Sequence, residues 1–570
     1  MKKILERGRN CWDVADVTGS GLLVDARDFY KAFYEAARRA VNYILLAGWQ
    51  FDSEVRLLHR GDMGKDEEEV RLLPFLKQLC SANRNLRVLI LAWDFSVLFA
   101  EGREWFQDLL FSDWGRNGQI HFRFDGSHAV GASHHRKLVV IDGITAFVGG
   151  MDLCEKRWDD RRHLRVSPDR VDTAGQAYEA VHDIQSCIEG KAAERLADLF
   201  GDWWCEAGGG SVDLPAPEDD SPVTVTPTLP LSAREVAISR TQARTLVPAR
   251  EPAREIRQLY GDAIEAAESL IYIENQFFTS RAVHDALIER MNRRNRSRLR
   301  VIVMLPRWPH SLLERISLVA AQTMALSSLR DTAARNGHDL GIYSLQPQGR
   351  HEKDAQTYIH SKLLIVDDRF LTVGSANLTN RSMGLDTELN VAWETSSPGE
   401  QGLMKSIRRA RESLLAEHTG APWRARRRLR RVESLVSELD GIAARPGSRL
   451  LPHSADTGAL PVDLLTQMGE TFTFDPEEPL IEEAVHEFVS REPARPSPSG
   501  LDVPDKTVPG QSGSHAARDT DRTSTASSDR SRLKVLVLKS SFFQPALVRR
   551  LVIGAMLIGS ALTALYLLLF

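Results

Sequence analysis

The sequence predicts an α/β protein built from two copies of one unit and followed by a C-terminal transmembrane helix. Amphipathic helical patterns alternate with short apolar runs that are typical of buried strands. The same order of patterns occurs twice along the chain. Twenty residues at the C-terminus carry no charge. The length of 570 residues favours several domains over a single core.

Each copy contains three patterned segments in the same order. The first is an amphipathic helix that runs into an apolar strand, and the second is a short buried strand. The third is a pair of apolar runs joined by a DG or DD turn, as in a β-hairpin. These segments occupy residues 26–52, 86–93 and 134–152 in the first copy, and 253–278, 299–306 and 359–377 in the second. We therefore predict two tandem α/β lobes related by a pseudo-twofold axis.

Segments poor in large apolar residues separate and follow the two lobes. We predict a first lobe at residues 1–205, a linker at 206–250, a second lobe at 251–420, an extension of unassigned role at 421–491, a disordered tether at 492–545 and the transmembrane helix at 551–570.

The predicted transmembrane helix reads LVIGAMLIGSALTALYLLLF, which is long enough to cross a bilayer. Arg549 and Arg550 precede it directly, and basic residues flank the cytoplasmic side of a span. We therefore expect a membrane-anchored protein whose remaining residues lie on the cytoplasmic side. A buried C-terminal core helix is the alternative, which the apolar character of every helix face disfavours.

Overall charge and cysteine content exclude several classes of protein. The net charge of −4 does not indicate a nucleic-acid partner. The five cysteines form no C-x-x-C pair, which argues against a disulfide framework and a structural zinc site, and for a reducing compartment.

Each copy carries a histidine and a lysine two residues apart at the start of a strand. The first copy has SHHRKLVVID, with His135 and Lys137, and the second has IHSKLLIVD, with His360 and Lys362. Side chains two apart on a strand share a face, so each histidine lies on the same face as its lysine. His134 points to the opposite face.

Two histidines and two lysines that converge on one cleft suit the chemistry of a phosphodiester. The lysines would hold the non-bridging oxygens and stabilise developing charge. One neutral imidazole would attack phosphorus while the other, protonated, would donate to the departing alkoxide. Histidine titrates close enough to neutrality for both roles. Since no metal-binding pattern is seen, we expect neither a metal nor another cofactor.

Short polar side chains follow these motifs in both copies. Asp142 and Asp367 end the strands, where strand parity places them off the catalytic face. Turn formation and backbone hydrogen bonding explain them at least as well as direct chemistry does. A glycine-rich turn then leads to Asp152 in the first copy and to Asn377 in the second.

This duplicated H-x-K-x4-D, followed by G-G/S-x-D/N, resembles the phospholipase D superfamily over about residues 20–420. The stretches IYIENQFF (271–278), GGMDL with RWDD (157–160) and GSANLTNRSMGLDTELNV (374–391) are similar to the phosphatidylcholine-type phospholipase D branch. SIRRARESLLAEHTG (406–420) is similar to the helix that closes that branch's catalytic region. The resemblance implies two tandem lobes of phospholipase D type.

The resemblance also implies roles for individual residues. His135 would be the nucleophile that forms a phosphohistidine, and His360 would protonate the leaving group and then activate water or an alcohol. The expected catalytic set is His135, Lys137, Asp142, His360, Lys362 and Asp367. The expected substrate-binding set is Asn377, Asp152, Ser375, Glu274 and Asn275. Because an ionised Asp152 would repel phosphate, we expect it to serve in hydrogen bonding.

Carboxylates that orient the catalytic histidines are also implied. Glu388 matches the family's residue of this kind, and Asp159 or Asp160 is the expected partner of His135.

The function implied is that of a metal-independent phospholipase D. It would hydrolyse the distal phosphodiester of glycerophospholipids to phosphatidic acid and a free headgroup, with transphosphatidylation available through the same intermediate. A cardiolipin-synthase-like phosphatidyltransferase is the alternative. The acidic balance and the expected anchor oppose a nuclease, and two intact motifs oppose a non-catalytic scaffold. The expected partners are phospholipid and membrane, and no oligomer is required because both motifs lie in one chain.

Overall fold

The computed structural model describes residues 3–59, 61–63, 69–94, 118–215, 225–246, 249–310, 312–349, 355–395, 400–422, 426–454 and 475–479. The first half of the chain forms strands β1 (Asp13–Asp16), β2 (Gly19–Val24), β3 (Tyr43–Gly48), β4 (Arg87–Trp93), β5 (Ile120–Asp125), β6 (Leu138–Ile141), β7 (Thr145–Gly149), β8 (Ala180–His182) and β9 (Ile184–Glu189), and helices α1 (Asp25–Ala37), α2 (Leu72–Ala82) and α3 (Lys191–Trp204).

The second half forms strands β10 (Leu229–Pro230), β11 (Glu235–Gln242), β12 (Thr245–Leu246), β13 (Ala249–Arg250), β14 (Ala253–Arg254), β15 (Leu270–Glu274), β16 (Arg300–Met304), β17 (Asp339–Leu345), β18 (Thr357–Ile359), β19 (Leu363–Val366), β20 (Phe370–Gly374), β21 (Glu388–Glu394) and β22 (Leu450–Pro452). Its helices are α4 (Glu255–Ala266), α5 (Arg281–Asn292), α6 (Leu312–Asn336), α7 (Asn380–Gly384), α8 (Gln401–Thr419), α9 (Arg426–Leu429) and α10 (Leu435–Ala443).

The two halves repeat one sheet topology. The first sheet contains the strand order β2-β9-β7-β6-β3-β4-β5, and the second contains β11-β21-β20-β19-β15-β16-β17. In both, the last three strands are mutually parallel and the remaining pairs are antiparallel. Each H-x-K motif leads into the strand between the hairpin partner and the parallel strands. The duplication seen in the sequence is therefore a duplication of the fold.

The two sheets pack against each other through one face and against helices through the other. Along β3, Leu45 joins the core shared by the two sheets, whereas Ile44 and Leu46 join the core under α1 and α2. Along β19, Ile365 joins the shared core and Leu364 joins the core under α4 and α5. These strands are buried on both faces, which is why they read as continuous apolar runs in the sequence.

The lobes also exchange backbone hydrogen bonds at the segments that precede the two motifs. β18 pairs in parallel with β8 of the first lobe, and the N–H of His360 donates to the carbonyl of His182 at 2.8 Å. In the same way, the N–H of His135 donates to the carbonyl of Thr387 at 2.9 Å. Each motif histidine is thus attached through its backbone to the opposite lobe.

The predicted boundaries differ from the described structure at two places. Within the predicted linker at 206–250, β10 pairs with β2 of the first sheet and β11 pairs with β21 of the second. Within the predicted extension at 421–491, β22 pairs with β17. Both segments therefore contribute strands to the sheets, because short runs with few apolar residues can still pair at a sheet edge.

The transmembrane part of the predicted fold class was wrong, although the mixed α/β part agrees with the structure. No helix among the described residues is long and apolar enough to cross a membrane. Residues 551–570, on which the prediction rested, lie outside the described ranges, as does the tether predicted at 492–545. The predicted membrane anchor is therefore not supported, and the predicted cytoplasmic orientation, which depended on it, falls with it.

Candidate active site

The two motif histidines form pairs with carboxylates of the opposite lobes. Nδ1 of His135, just before β6, lies 3.0 Å from Oε2 of Glu388 at the start of β21. Nδ1 of His360, just before β19, lies 2.6 Å from Oδ2 of Asp183 between β8 and β9. When each Nδ1–H donates to its carboxylate, each Nε2 keeps a lone pair for chemistry.

Sheet register explains why these carboxylates are equivalent. In each lobe, the strand after the glycine turn pairs with the second strand of the motif hairpin. The registers align Gln185 and Asn390 with the terminal glycines of β7 and β20. Asp183 and Glu388 each lie two residues before these positions, so the duplicated fold places both carboxylates at the same point of the sheet.

Hydrogen bonds hold the carboxylates firmly. The hydroxyl of Ser375 donates to Glu388 at 2.5 Å and that of Ser382 donates at 2.6 Å. Burial raises the pKa of Glu388 to about 7, despite these donors. The N–H of Ile184 donates to Asp183 at 2.7 Å, and burial raises the pKa of Asp183 to about 6. Both carboxylates therefore change charge near neutrality.

The two motif lysines are buried and differently supported. Nζ of Lys137 lies 3.1 Å from Oδ2 of Asp152, whose Oδ1 accepts the N–H of Trp49 at 2.9 Å. Nζ of Lys362 donates to Oε1 of Gln276 at 3.2 Å and to the carbonyl of its neighbour His360. The first lysine is thus paired with a charge, whereas the hydrogen-bond acceptors of the second within the described residues are neutral.

Electrostatics show that the four motif side chains converge. Burial lowers the pKa of His135 well below its ordinary value, and the charges of Lys137 and Lys362 lower it further. Burial likewise lowers the pKa of His360, with added effects of Lys362, Arg157 and Lys137. Burial also lowers the pKa of Lys362 to about 7. Because these cations act on one another across the lobes, an anion bound between them would relieve the repulsion.

His134 occupies a different environment from His135. It is 2% exposed, and its Nε2 lies 3.2 Å from Oδ2 of Asp125. Its ring makes a T-shaped contact with His128, with centroids 5.1 Å apart. Adjacent histidines thus point to different partners, as strand parity requires.

Asp142 and Asp367 join strand ends through backbone hydrogen bonds. Asp142 accepts the N–H groups of residues 41–43, and Asp367 accepts those of residues 268–270. Both have a positive φ of 52°. These contacts fasten each motif hairpin to the start of its neighbouring strand, β3 or β15, which is the turn-stabilising alternative considered for both residues.

The structure places the two expected substrate contacts of IENQFF in the protein interior. Glu274 is fully buried against His182 and His418, at 3.0 and 2.8 Å. Asn275 is also fully buried, and its Oδ1 accepts the N–H of Leu378 at 3.0 Å. Glu274 is committed to the protein interior, and Asn275 is committed there through Oδ1, while its Nδ2 has no hydrogen-bond partner among the described residues. Gln276, in the same stretch, contacts the motif lysine Lys362.

Asp159 and Asp160 do not contact His135 in the structure. Asp159 accepts from Arg170 at 3.0 Å and lies 3.1 Å from His163, and Asp160 is bonded to Arg162. The partner of His135 is Glu388, and the residue that completes the second pair, Asp183, was not predicted. The repeat contained its signal, because Asp183 is the structural equivalent of Glu388.

The three remaining predicted substrate ligands are Ser375, Asp152 and Asn377. The first two contact other site residues. Ser375 gives its hydroxyl to Glu388, and Asp152 is paired with Lys137. Asn377, three residues after the end of β20, is 9% exposed, and its Oδ1 has no hydrogen-bond partner among the described residues. Asn377 therefore remains available to a ligand, whereas Ser375 and Asp152 act on other site residues.

Comparison with known proteins gives a consistent result. The family model described as "Cardiolipin synthase, PLD-like domain" matches residues 260–410. Phospholipase D alpha 1 of Brassica oleracea var. capitata is 25% identical over 516 residues, covering 69% of this chain and 64% of that protein. Phospholipase D alpha 2 of Oryza sativa subsp. japonica is 26% identical over 527 residues, covering 69% and 63%. The chain thus spans slightly less than two thirds of these relatives.

A solved phosphatidylserine synthase of Haemophilus influenzae Rd KW20 aligns with a TM-score of 0.47 at 14% identity, covering 84% of this chain and 96% of that one. Sequence motifs, family model and curated relatives agree with the duplicated architecture of the candidate site: the chain is similar to the phospholipase D superfamily.

Proposed function

We propose that the protein is a phospholipase D that hydrolyses the distal phosphodiester of glycerophospholipids through a phosphohistidine. The observation that supports this most strongly is the pair of motif histidines, each facing a carboxylate of the opposite lobe at 2.6 to 3.0 Å. Two equivalent imidazoles with free Nε2 atoms provide a nucleophile and a proton donor at one cleft.

The phosphodiester binds between the two lysines. Lys137 and Lys362 stabilise its non-bridging oxygens, and Asn377 supplies a further polar contact. The repulsion among the buried cations favours this binding, because one negative charge lowers the energy of all of them. Because Asp152 already pairs with Lys137, Lys362 supplies most of the positive charge that the diester meets.

In the first step, Nε2 of His135 attacks phosphorus and the phosphorus–oxygen bond to the headgroup breaks. Glu388 accepts the Nδ1–H bond and stabilises the positive charge that develops on the ring. Nε2–H of His360 donates its proton to the departing alkoxide, which leaves as the headgroup alcohol. His360 then is neutral, and the phosphatidyl group is bonded to His135.

Protonation of His360 is linked to substrate binding. In the empty cleft, burial and the nearby cations hold its pKa well below the ordinary value. A bound phosphodiester places a negative charge beside the ring and raises that pKa, so the acid is generated when its substrate is present.

In the second step, His360 takes a proton from water, and the resulting nucleophile attacks phosphorus. The phosphorus–Nε2 bond to His135 breaks, and phosphatidic acid leaves. An alcohol in place of water would give transphosphatidylation by the same bond changes. We propose that neither step uses a metal ion.

A phosphatidyltransferase related to cardiolipin synthases is the second candidate. Its support is the description of the family model that matches residues 260–410. It would use the same phosphatidyl-histidine, with the hydroxyl of a second lipid as acceptor in place of water.

One experiment separates these functions and tests the mechanism. The purified full chain is incubated with phosphatidylcholine or phosphatidylglycerol vesicles, and phosphatidic acid, free headgroup and cardiolipin are quantified together. We expect phosphatidic acid as the main product, and cardiolipin as the main product would favour the transferase. An alkaline quench followed by peptide mass spectrometry should locate the phosphatidyl adduct on His135.

The variants His135→Ala and His360→Ala should each reduce product formation at least 1000-fold, since both bond changes need an imidazole. The matched control His134→Gln should change it less than about threefold, because this side chain faces Asp125. Normal turnover by His135→Ala, or an adduct on His360, would contradict the assigned roles.

A further inference from the structure

A second group of histidines and carboxylates lies buried where the two lobes meet, apart from the two motif histidines. We call Asp25, His163, His182 and Glu417 the buried cluster. Asp25 begins α1, His163 lies in the loop before β8, His182 ends β8, and Glu417 belongs to α8 of the second lobe. Their side chains are 0 to 2% exposed.

The ligating atoms of the buried cluster are spaced like those around one small ion. Nε2 of His163 lies 3.5 Å from Asp25 and 3.1 Å from Glu417. Nδ1 of His182 lies 3.0 Å from Asp25 and 3.1 Å from Glu417. Zinc bonds of about 2.0–2.1 Å to nitrogen and oxygen give tetrahedron edges of about 3.3 Å. The two separations to Glu417 share Oε1 and lie close to that value. Those to Asp25 involve Oδ2 for His163 and Oδ1 for His182, and one ligand atom from each residue lies within 4.8 Å of the others.

Two atoms of the buried cluster lack hydrogen bonds although they are fully buried. Oδ2 of Asp25 and Nδ1 of His182 make no hydrogen bond of acceptable geometry within the part of the chain that the structure describes, although Nδ1 lies 3.0 Å from Oδ1 of Asp25. A buried carboxylate oxygen and a buried imidazole nitrogen without partners are costly. Both face the interior of the cluster, where a cation would satisfy them.

An outer ring of hydrogen bonds orients the two imidazoles toward the centre of the buried cluster. Nδ1 of His163 lies 3.1 Å from Asp159, and Nε2 of His182 lies 3.0 Å from Glu274. A carboxylate on the far nitrogen of each ring is the usual support of a metal-ligating histidine. Arg170, 3.0 Å from Asp159, and Arg161, bonded to Glu417, balance the surrounding negative charge.

We propose that Asp25, His163, His182 and Glu417 bind one Zn²⁺ ion that joins the two lobes. Two imidazoles and two carboxylates match the donors that zinc takes in tetrahedral sites, whereas Ca²⁺ and Mg²⁺ prefer oxygen alone. The dication neutralises both carboxylates and leaves both imidazoles uncharged. The site is closed by four protein ligands, so its role is structural.

The zinc site supports the active site through the backbone. The carbonyl of His182 accepts the N–H of His360, and the next residue, Asp183, pairs with the His360 ring. Fixing His182 to Glu417 of α8 therefore fixes the position of the proton donor. The ion takes no part in bond making.

The alternative to a bound metal ion is that the histidines of the buried cluster are protonated, and the test must distinguish these two states. Although burial opposes it, the charge of Asp25 and bonds to Asp159 and Glu417 raise the pKa of His163 to about 9. Zinc binds the unprotonated imidazole, so its affinity for the buried cluster should fall as the pH is lowered.

The purified full chain, prepared without chelators, is analysed by elemental mass spectrometry. We expect about one zinc per chain after gel filtration. Protein produced in cobalt-supplemented medium should show the strong visible absorption of tetrahedral Co²⁺, with histidine ligands detectable by electron–nuclear spectroscopy. Less than about 0.1 ion per chain, both as purified and after incubation of chelator-treated protein with Zn²⁺, would overturn the proposal.

Ligand variants locate the ion. His163→Ala and Glu417→Gln should each weaken zinc binding at least about 100-fold, and Asp159→Asn should weaken it about 10- to 100-fold. The matched control His134→Gln, also a buried histidine beside a carboxylate, should retain one ion. Unchanged zinc content and cobalt spectra in both ligand variants would contradict the site. Should these variants fail to fold, the cobalt spectrum of the wild-type chain still decides the outcome.

Discussion

Glu388 of the second lobe lies 3.0 Å from Nδ1 of His135 in the first lobe, and Asp183 of the first lobe lies 2.6 Å from Nδ1 of His360 in the second. Each imidazole is therefore oriented by a carboxylate from the opposite sheet. Because the two contacts are reciprocal, the position of one lobe against the other controls both histidines.

Replacing Glu388 by glutamine should slow turnover about 100-fold or more, because the positive ring of His135 loses its carboxylate. The measurement is phosphatidic acid formation at saturating substrate. The matched control Asp160→Asn should retain activity within about twofold, because Asp160 is bonded to Arg162 and does not touch the histidine. A larger loss in the control than in Glu388→Gln would refute the assignment.

Asp183→Asn should affect leaving groups unequally. Choline leaves as an alkoxide that needs the proton of His360, so its release should fall about 100-fold. A p-nitrophenol headgroup leaves without protonation, so its release should fall less than about tenfold. Glu388→Gln should slow both substrates alike, because it acts through the nucleophile. Equal losses for both headgroups in Asp183→Asn would show that His360 is not the acid.

The pH dependence of kcat/KM should be bell-shaped with a maximum near neutrality. Asp183 and Glu388 must be ionised, and burial raises their pKa values to about 6 and about 7, so activity falls on the acidic side. Lys362 must be protonated, and burial lowers its pKa to about 7, so activity falls on the alkaline side. Lys362→Arg should change the alkaline limb, since guanidinium stays charged and only the requirement for a protonated His360 remains. An unchanged alkaline limb in this variant would assign it to another group.

Glu388→Gln should also stabilise the fold at alkaline pH. Burial raises the pKa of this carboxyl to about 7 in the folded state, against an ordinary value of 4.5. The native state therefore binds more protons, and stability falls as pH rises through this window. Removing the group should raise the free energy of unfolding at pH 8 by up to about 3 kcal/mol, and by less near pH 4.5. Urea unfolding at both pH values measures this change in the free energy of unfolding.

In the control residue, Asp160, folding shifts the pKa in the opposite direction. Although burial opposes it, hydrogen bonds from Arg162 lower the pKa of Asp160, so ionised Asp160 stabilises the native state. Asp160→Asn should therefore not raise stability at pH 8. A Glu388→Gln variant that is equally destabilised at both pH values would contradict the linkage.

Gln276→Leu should lower kcat/KM about tenfold, because Lys362 loses the side-chain hydrogen-bond acceptor that lies 3.2 Å from its Nζ. Initial rates over a range of phospholipid concentrations test this. Gln176→Leu, at an exposed loop position, is the control and should change kcat/KM less than about twofold. Identical effects of both substitutions would exclude a role for Gln276.

The sequence was sufficient to predict the repeat, because the hairpin and its neighbouring strands have similar spacing along the chain in both copies. Parity likewise separated His135 from His134, since alternation on a strand is a property of the backbone. The carboxylate partners were harder to assign. Glu388 follows its turn glycine by 14 residues, whereas Asp183 follows Gly149 by 34, so a longer loop in the first copy hides the equivalence.

Contacts between lobes also have no signature in local spacing. Glu388 was expected to orient a catalytic histidine, but spacing did not show that this histidine would be that of the other copy. Glu274 was placed near the substrate because strand ends often face a cleft, yet its neighbours His182 and His418 come from distant segments. Periodicity describes which face a side chain takes, and only tertiary packing decides what lies opposite.

The exchange of carboxylates between the lobes has a consequence for how the two copies could diverge. A substitution at position 388 changes the environment of the histidine at position 135, and one at position 183 changes that of the histidine at position 360. Evolutionary covariation should therefore couple position 135 to position 388 and position 360 to position 183, and exchange of one half for that of a homologue should preserve both pairs. The two copies should therefore evolve together and not independently.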